Sequence, residues 1–157
     1  MVEGGSRAPV NHFRGRSDHV LDDKGRLSIA TRFRDVLRRQ YDERLMITSW
    51  HNCLRAYPLP QWEEIEMTLR TADRKNPQML KLIRWMSGAE ECGIDKQGRV
   101  LIPPKLRDEG KLRKEIVANG MLTYFEIWDK EIWDKVSQPS PDDFKQFEET
   151  LSELGLF

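Results

Sequence analysis

Long apolar runs are absent from this 157-residue chain. Nothing approaches the ~18 consecutive apolar residues that a membrane helix requires, so a soluble protein with no membrane partner is expected. Cysteine is scarce: Cys53 and Cys92 stand alone, with no C-x-x-C spacing, which points to a reducing cytoplasm and away from a disulfide or zinc framework. His51-Asn52-Cys53 could offer two metal ligands, but no second pair completes a tetrahedral site, so no metal is expected. An apolar leader is missing as well. Residues 1–12 read as a flexible tail, an upstream start or an expression remnant, outside the fold argument. Neither a P-loop, a dinucleotide glycine pattern nor a Ser-His-Asp order occurs, so neither cofactor nor catalysis is expected.

An excess of one charge is also lacking, with 26 basic and 26 acidic side chains. A neutral total is a poor sign for a nucleic-acid binder, but the charges are unevenly spread. Arg14, Arg16, Lys24, Arg26, Arg32, Arg34, Arg38 and Arg39 face only Asp18, Asp22, Asp23 and Asp35, leaving +4 in that stretch. From Ser140 onward five acids face Lys145 alone, leaving −4. Such asymmetry permits a basic binding face and equally suits a solvated surface.

What the chain does have is an internal repeat. The segment from Asp22 to Asp35 aligns without gaps on the segment from Asp95 to Asp108, at an offset of 73. Leu54-Arg55-Ala56-Tyr57, with Trp62 and Ile65 after it, aligns on Phe125-Glu126-Ile127-Trp128, with Trp133 and Val136 after it, at an offset of 71. Two blocks in the same order define a duplicated unit. The expected division is a first repeat over 13–62, linking helices over 63–91, a second repeat over 92–136 and a C-terminal helix over 137–157.

Each copy reads as strand, tight turn, strand, short helix, strand, turn, strand, helix. Gly25 and Gly98 close the first turn, where positive φ suits glycine. Leu27/Ile29 and Val100/Ile102 alternate with their neighbours, which sends Arg26 and Arg99 to the opposite, outward face. Arg32 and Arg34 read as solvating the short helix. A second hairpin is expected around His51-Asn52 in one copy and Asn119-Gly120 in the other. Pro60 and Asn76-Pro77 open helices whose stripes, like that of Phe144, Phe147, Leu151 and Leu154, suit core or subunit packing. Four short strands per half cannot bury both faces alone. The expectation is an α+β protein, mainly a β-barrel with flanking helices, made by interleaving the two halves.

The duplicated Asp-x-x-x-Arg turn (Asp22 to Arg26, Asp95 to Arg99) resembles the repeated signature of the MraZ family. So do Phe13-Arg14-Gly15, the run from Lys24 to Ile29, the run from Tyr57 to Trp62, and Phe125-Glu126-Ile127-Trp128. Ala30 departs from the pattern, standing where the family usually has proline. The resemblance implies a duplicated AbrB-like swapped-hairpin unit, a double-split β-barrel, assembled into a ring-like homo-oligomer. It also implies binding to repeated promoter elements in double-stranded DNA ahead of the division and cell-wall gene cluster. Repression of its own operon, in the cytoplasm and at the nucleoid, would follow.

Spacing and resemblance together suggest roles for the turn residues. Arginine offers a planar donor fork that matches guanine O6 and N7 in the major groove, so Arg26 and Arg99 would read bases. Asp22 and Asp95 would hold those arginines in one rotamer, and Lys24, Lys96, Arg14 and Arg16 would contact phosphates. Two other readings stand beside this one. The Asp–Arg pairs could simply brace the turns, and an AbrB-type module could bind a protein in antitoxin fashion. A paired-carboxylate hydrolase fits poorly, because an arginine beside each aspartate depresses its pKa and spoils general-acid work.

Overall fold

In a computed structural model that describes residues 12–157, the chain forms eight strands and six helices. The N-terminal half contains β1 (Arg16–Val20), β2 (Arg26–Ser28), α1 (Thr31–Gln40), β3 (Arg44–Ser49), β4 (Leu54–Pro58) and α2 (Leu59–Arg70). A linking helix, α3 (Pro77–Met86), leads into β5 (Glu90–Gly93), β6 (Arg99–Leu101), α4 (Pro104–Glu109), β7 (Glu115–Gly120) and β8 (Phe125–Asp129). Helices α5 (Lys130–Val136) and α6 (Pro141–Glu153) follow. Of the expected tail, residues 1–11 lie outside the described residues.

Neither repeat pairs its strands only with itself. One sheet runs β1-β7-β8-β4-β3-β5, and β2 pairs with β6 in a separate ribbon. Read from either end, the six-stranded order presents the same sequence of repeat positions, so a pseudo-twofold axis passes between β4 and β8. Register fixes that axis: Arg55 faces Glu126 and Leu27 faces Val100, each residue opposite its own counterpart in the other repeat. The loops obey it too. Ile29 N–H donates to the Gly98 carbonyl and Ile102 N–H to the Gly25 carbonyl, both at 2.9 Å.

The two layers close over one apolar core. Leu27 and Val100 point inward from the ribbon, and Ile47, Leu54, Ile116 and Ile127 meet them from the large sheet. At its centre, ring centroids lie 5.5 Å apart for Phe13–Phe33 and 4.9 Å apart for Phe33–Phe125. Helix α1 supplies Phe33, Val36 and Leu37 at helical spacing, so one face is buried while Arg38 and Arg39 remain in water. The paired His51 and Asn52, at φ 42° and 72°, make the tight turn between β3 and β4. Asn76 caps α3 by accepting from the N–H groups of Gln78 and Met79.

Three expectations change. Interleaving is present, but among the described residues hydrogen bonds do not close a barrel: β1 and β5 are the edges of the large sheet, and the β2–β6 ribbon meets it through an isolated bridge from Val100 to Ile94, just past β5. The Asp22–Arg26 turn does not join two paired strands, because β7 takes β1 while β6 takes β2. Asn119-Gly120 is not a turn but the end of β7, and the chain reverses over 121–124. Glycine is needed at 120 for a different reason: a Cβ there would lie 2.4 Å from the Phe13 carbonyl oxygen.

Ala30 takes φ −53° and ψ 138°, close to the −58° and 148° of its counterpart Pro103. Proline therefore fits the joint, and it would remove conformational freedom from the unfolded chain. Ala30→Pro should stabilise by about 0.4–1 kcal/mol. A rise of about 1–4 °C in Tm by scanning calorimetry is expected for a chain of this size.

Candidate nucleic-acid interface

Each turn is organised by its own aspartate. The Asp22 carboxylate accepts from the N–H of Lys24 at 2.9 Å, the N–H of Arg26 at 2.8 Å and Arg26 Nε at 2.6 Å. Asp95 accepts from the N–H groups of Gln97 and Arg99, both at 2.9 Å, and from Arg99 Nε at 3.3 Å. The backbone N–H of Arg26 is the main cause holding the Asp22 carboxyl below the ordinary carboxylate range, and that of Arg99 does the same for Asp95. Carboxyls held this way do not serve as proton donors near neutral pH. Asp22 leaves both Nη groups of Arg26 without a protein partner among the described residues, whereas Arg99 Nη2 donates to Gln97 Oε1.

The ribbon brings the two repeats' arginines onto one surface. Arg26 faces Leu101 and Ser28 faces Arg99, so all four side chains project from the side opposite the buried Leu27 and Val100. Arg26 and Arg99 are diagonal neighbours, about 7–8 Å apart at the backbone. Ser28 and Leu101, the latter 56% exposed, share this face and were missed in the sequence, although period-two alternation places them there. A two-stranded ribbon of this width fits the major groove. Lys24 and Lys96 sit in the turns at its two ends, exposed.

Arg14 and Arg16 do not join this cluster. Arg16 starts β1, about 20 Å of extended chain from Asp22 at ~3.3 Å per residue. Its guanidinium lies 3.3 Å from Asp18 and over the Trp133 ring. Arg14 is exposed beside His12. Arg32 and Arg34 depart from their expected solvating role. Arg32 donates to the carbonyls of Arg14 at 2.9 Å and Arg16 at 2.6 Å, clamping the entry to β1. Arg34 pairs with Glu43 at 3.2 Å and reaches the other repeat's Gly98. Sequence spacing within one repeat gives no signal for a contact made with the other.

Among the described residues no three His, Cys, Asp or Glu side chains converge on a metal site, and no helix is long and apolar enough to cross a membrane. Cys53 and Cys92 are buried free thiols, pushed up by desolvation to about 12 and about 11.

Comparison with known proteins points one way. The family model described as "MraZ protein, putative antitoxin-like" matches residues 12–82 and again 85–156. The transcriptional regulator MraZ of Syntrophobacter fumaroxidans is 44% identical over 146 residues, covering 92% of this chain and 97% of that protein. The transcriptional regulator MraZ of Desulfosudis oleivorans is 40% identical over 147 residues, covering 92% and 99%. That of Thermoanaerobacter sp. (strain X514) is 36% identical over 143 residues, covering 90% and 98%.

The turn geometry makes a prediction independent of ligand. Asp22→Ala removes an acceptor from two backbone N–H groups, while Asp22→Asn keeps one oxygen for them and loses the charge and the acceptor for Arg26 Nε. Thermal melts should therefore rank wild type above Asp22→Asn, and Asp22→Asn above Asp22→Ala. A depressed carboxyl stabilises the fold fully above its ordinary value of about 3.9 and loses that contribution as pH falls through the lower, folded value. Asp22→Asn should accordingly show a shallower fall of Tm between pH 5 and pH 2, both values taken around that titration.

Proposed function

The chain belongs to the MraZ family, and from there we propose that it is a transcription regulator that binds double-stranded DNA through the β2–β6 ribbon. Its finer role is repression of its own operon, in the division and cell-wall gene cluster, from repeated promoter elements. The protein would act in the cytoplasm, at the nucleoid. We take the repeats as 13–62 and 92–136, with 63–91 linking them and 137–157 as the oligomer-forming helix.

One observation carries the reading: Arg26 and Arg99, from different repeats, share the outward face of one ribbon. Each is tethered through Nε to an aspartate, a geometry that directs the Nη end of Arg26 outward and limits the side-chain entropy lost on binding. Lys24 and Lys96 flank the groove-facing surface as phosphate contacts, and Arg14 and Arg16 reach backbone farther along the duplex.

Helix α6 supports assembly of several copies. Phe144, Phe147, Leu154, Leu156 and Phe157 are all exposed along it and its C-terminal extension. An apolar stripe of this size calls for a covering surface. The hollow between α2 and α3, lined by Trp62, Leu69, Ile83 and Met86 with Glu66, Arg70 and Arg74 beside them, offers an apolar seat for this amphipathic helix of a neighbouring copy. Head-to-tail contacts of that kind generate a ring when the rotation closes.

Fluorescence anisotropy with the DNA upstream of its own gene tests the function. Arg26→Ala should abolish specific binding while folding and assembly persist, each bidentate guanine contact contributing ~1–3 kcal/mol of discrimination. Lys24→Ala should weaken binding to all sequences and reduce the salt slope by about 1. Arg26→Ala protein that melts early yet binds normally would make the turn structural only. Binding that ignores salt and duplex would favour the protein-interaction module.

Light scattering should find an oligomer that Phe147→Asp dissociates. Affinity for an array of elements should exceed that for one element by ~10²–10⁴. A monomeric wild type, or equal affinity for one element and the array, would remove the ring from the reading.

A further inference from the structure

The repeats match in fold but differ in charge where each meets the other's turn. The loop after α1 and the loop after α4 occupy equivalent positions. At three successive sites their charges are reversed: Asp42 matches Arg113, Glu43 matches Lys114 and Arg44 matches Glu115. Each loop holds the opposite repeat through one backbone bond. Leu21 N–H donates to the Lys114 carbonyl at 2.8 Å, next to Asp22, and Ile94 N–H donates to the Glu43 carbonyl at 3.0 Å, next to Asp95. The first turn is thereby flanked by Lys111, Arg113 and Lys114. The second is flanked by Asp42 and Glu43; farther along the adjoining strands, Asp18 on β1 and Glu91 on β5 match each other.

Ion pairing widens the difference. Around the second turn the flanking arginines are taken up, Arg44 by Asp42 at 2.7 Å and Arg34 and Arg38 by Glu43, each at 3.2 Å, which leaves the exposed Lys96 of the turn itself. Around the first turn Arg113 is likewise tied to Asp129 and Glu131. Arg107, the counterpart of Arg34, is not. Its Nε donates to the Ile102 carbonyl at 3.0 Å, and among the described residues it has no carboxylate partner within 4.0 Å. A Cβ on Gly25 would lie 2.7 Å from the Arg107 guanidinium carbon, so this cation rests directly over the first turn. Lys111 donates only to the neutral Asn52 side chain, at 3.0 Å. Leu21, Arg107, Asp108, Lys111 and Arg113 line one hollow beside that turn.

We propose that the two turns are loaded unequally on DNA, with Lys111, Lys114 and Arg107 of the second repeat serving as phosphate contacts for the first repeat's turn. The 22–26 turn anchors the protein to the backbone. The 95–99 turn, whose flanking arginines are paired with acids, keeps Lys96 as a phosphate contact and adds base-edge contacts through Arg99. This rests on the DNA-binding reading above and deepens it. Phosphate contacts release counterions and so set the salt dependence, whereas base contacts leave it nearly unchanged.

The test is equilibrium binding by the full-length protein to a duplex carrying one promoter element, and to an unrelated duplex, across a salt series. Lys111→Gln/Lys114→Gln should reduce the magnitude of the log–log salt slope by about 2 and weaken both duplexes alike, by about tenfold. Glu90→Gln/Glu91→Gln, on the strand that leads into the second turn, should change either affinity by less than about twofold. All four positions are at least partly exposed, and thermal melts verify that the variants remain folded. An unchanged slope in the lysine variant would overturn the proposal. So would tightening in the glutamate variant as large as the loosening in the lysine variant. Wild-type protein without salt-dependent duplex binding would instead sink the functional reading itself.

Discussion

Two backbone hydrogen bonds, Ile29 to Gly98 and Ile102 to Gly25, tie each repeat's second strand to the other repeat's turn. The rest of the molecule depends on this exchange. Both glycines adopt positive φ, at 84° and 80°, and that conformation lets the turn reverse while its carbonyl faces across the axis. The exchange seats Leu27 against Val100, closes the core from one side and leaves Arg26 and Arg99 on a common outer face. A turn in one repeat is thus only as well placed as the strand end of the other.

Exposed loops usually lose definition because few apolar contacts hold them. Here an exposed carboxylate supplies the definition instead. Asp22 and Asp95 satisfy two backbone N–H groups apiece before they touch an arginine. One oxygen of each carboxylate shapes the backbone, and the other aims the arginine. Rigidity therefore comes to a wet, polar surface without burial.

Much of this was legible in the chain itself. Gap-free alignment of 22–35 on 95–108 exposed the duplication, and the inward sense of Leu27, Ile29, Val100 and Ile102 followed from alternation. The turn at His51-Asn52 and the helix start at Asn76-Pro77 carry local stereochemical signals, and both are where those signals put them. Partner choice was not legible. Period two states which face a residue occupies, not which strand lies beside it. Hence β1 and β2 could be read as one hairpin although they diverge, and Gly120 could be read as a turn although a passing chain demands it. Leu101 beside Arg26 on the outer face and the reach of Arg34 to Gly98 were not legible for the same reason: these neighbours come from the other repeat.

The long-range pairing of β1 with β7 also bears on how the protein comes into being. Arg16 aligns with Asn119, so the first strand to leave the ribosome has no partner until most of the chain has been made. At ~5–20 residues per second, the nascent first repeat waits several seconds with an open strand edge. Its own short strands offer little shelter, because half of the ribbon and half of the large sheet are still untranslated. Folding is therefore a late, largely all-at-once event rather than a repeat-by-repeat one, and it passes through a high proportion of distant contacts. A ribosome stalled inside the linking helices would hold out a chain with half of its sheet but no completed core.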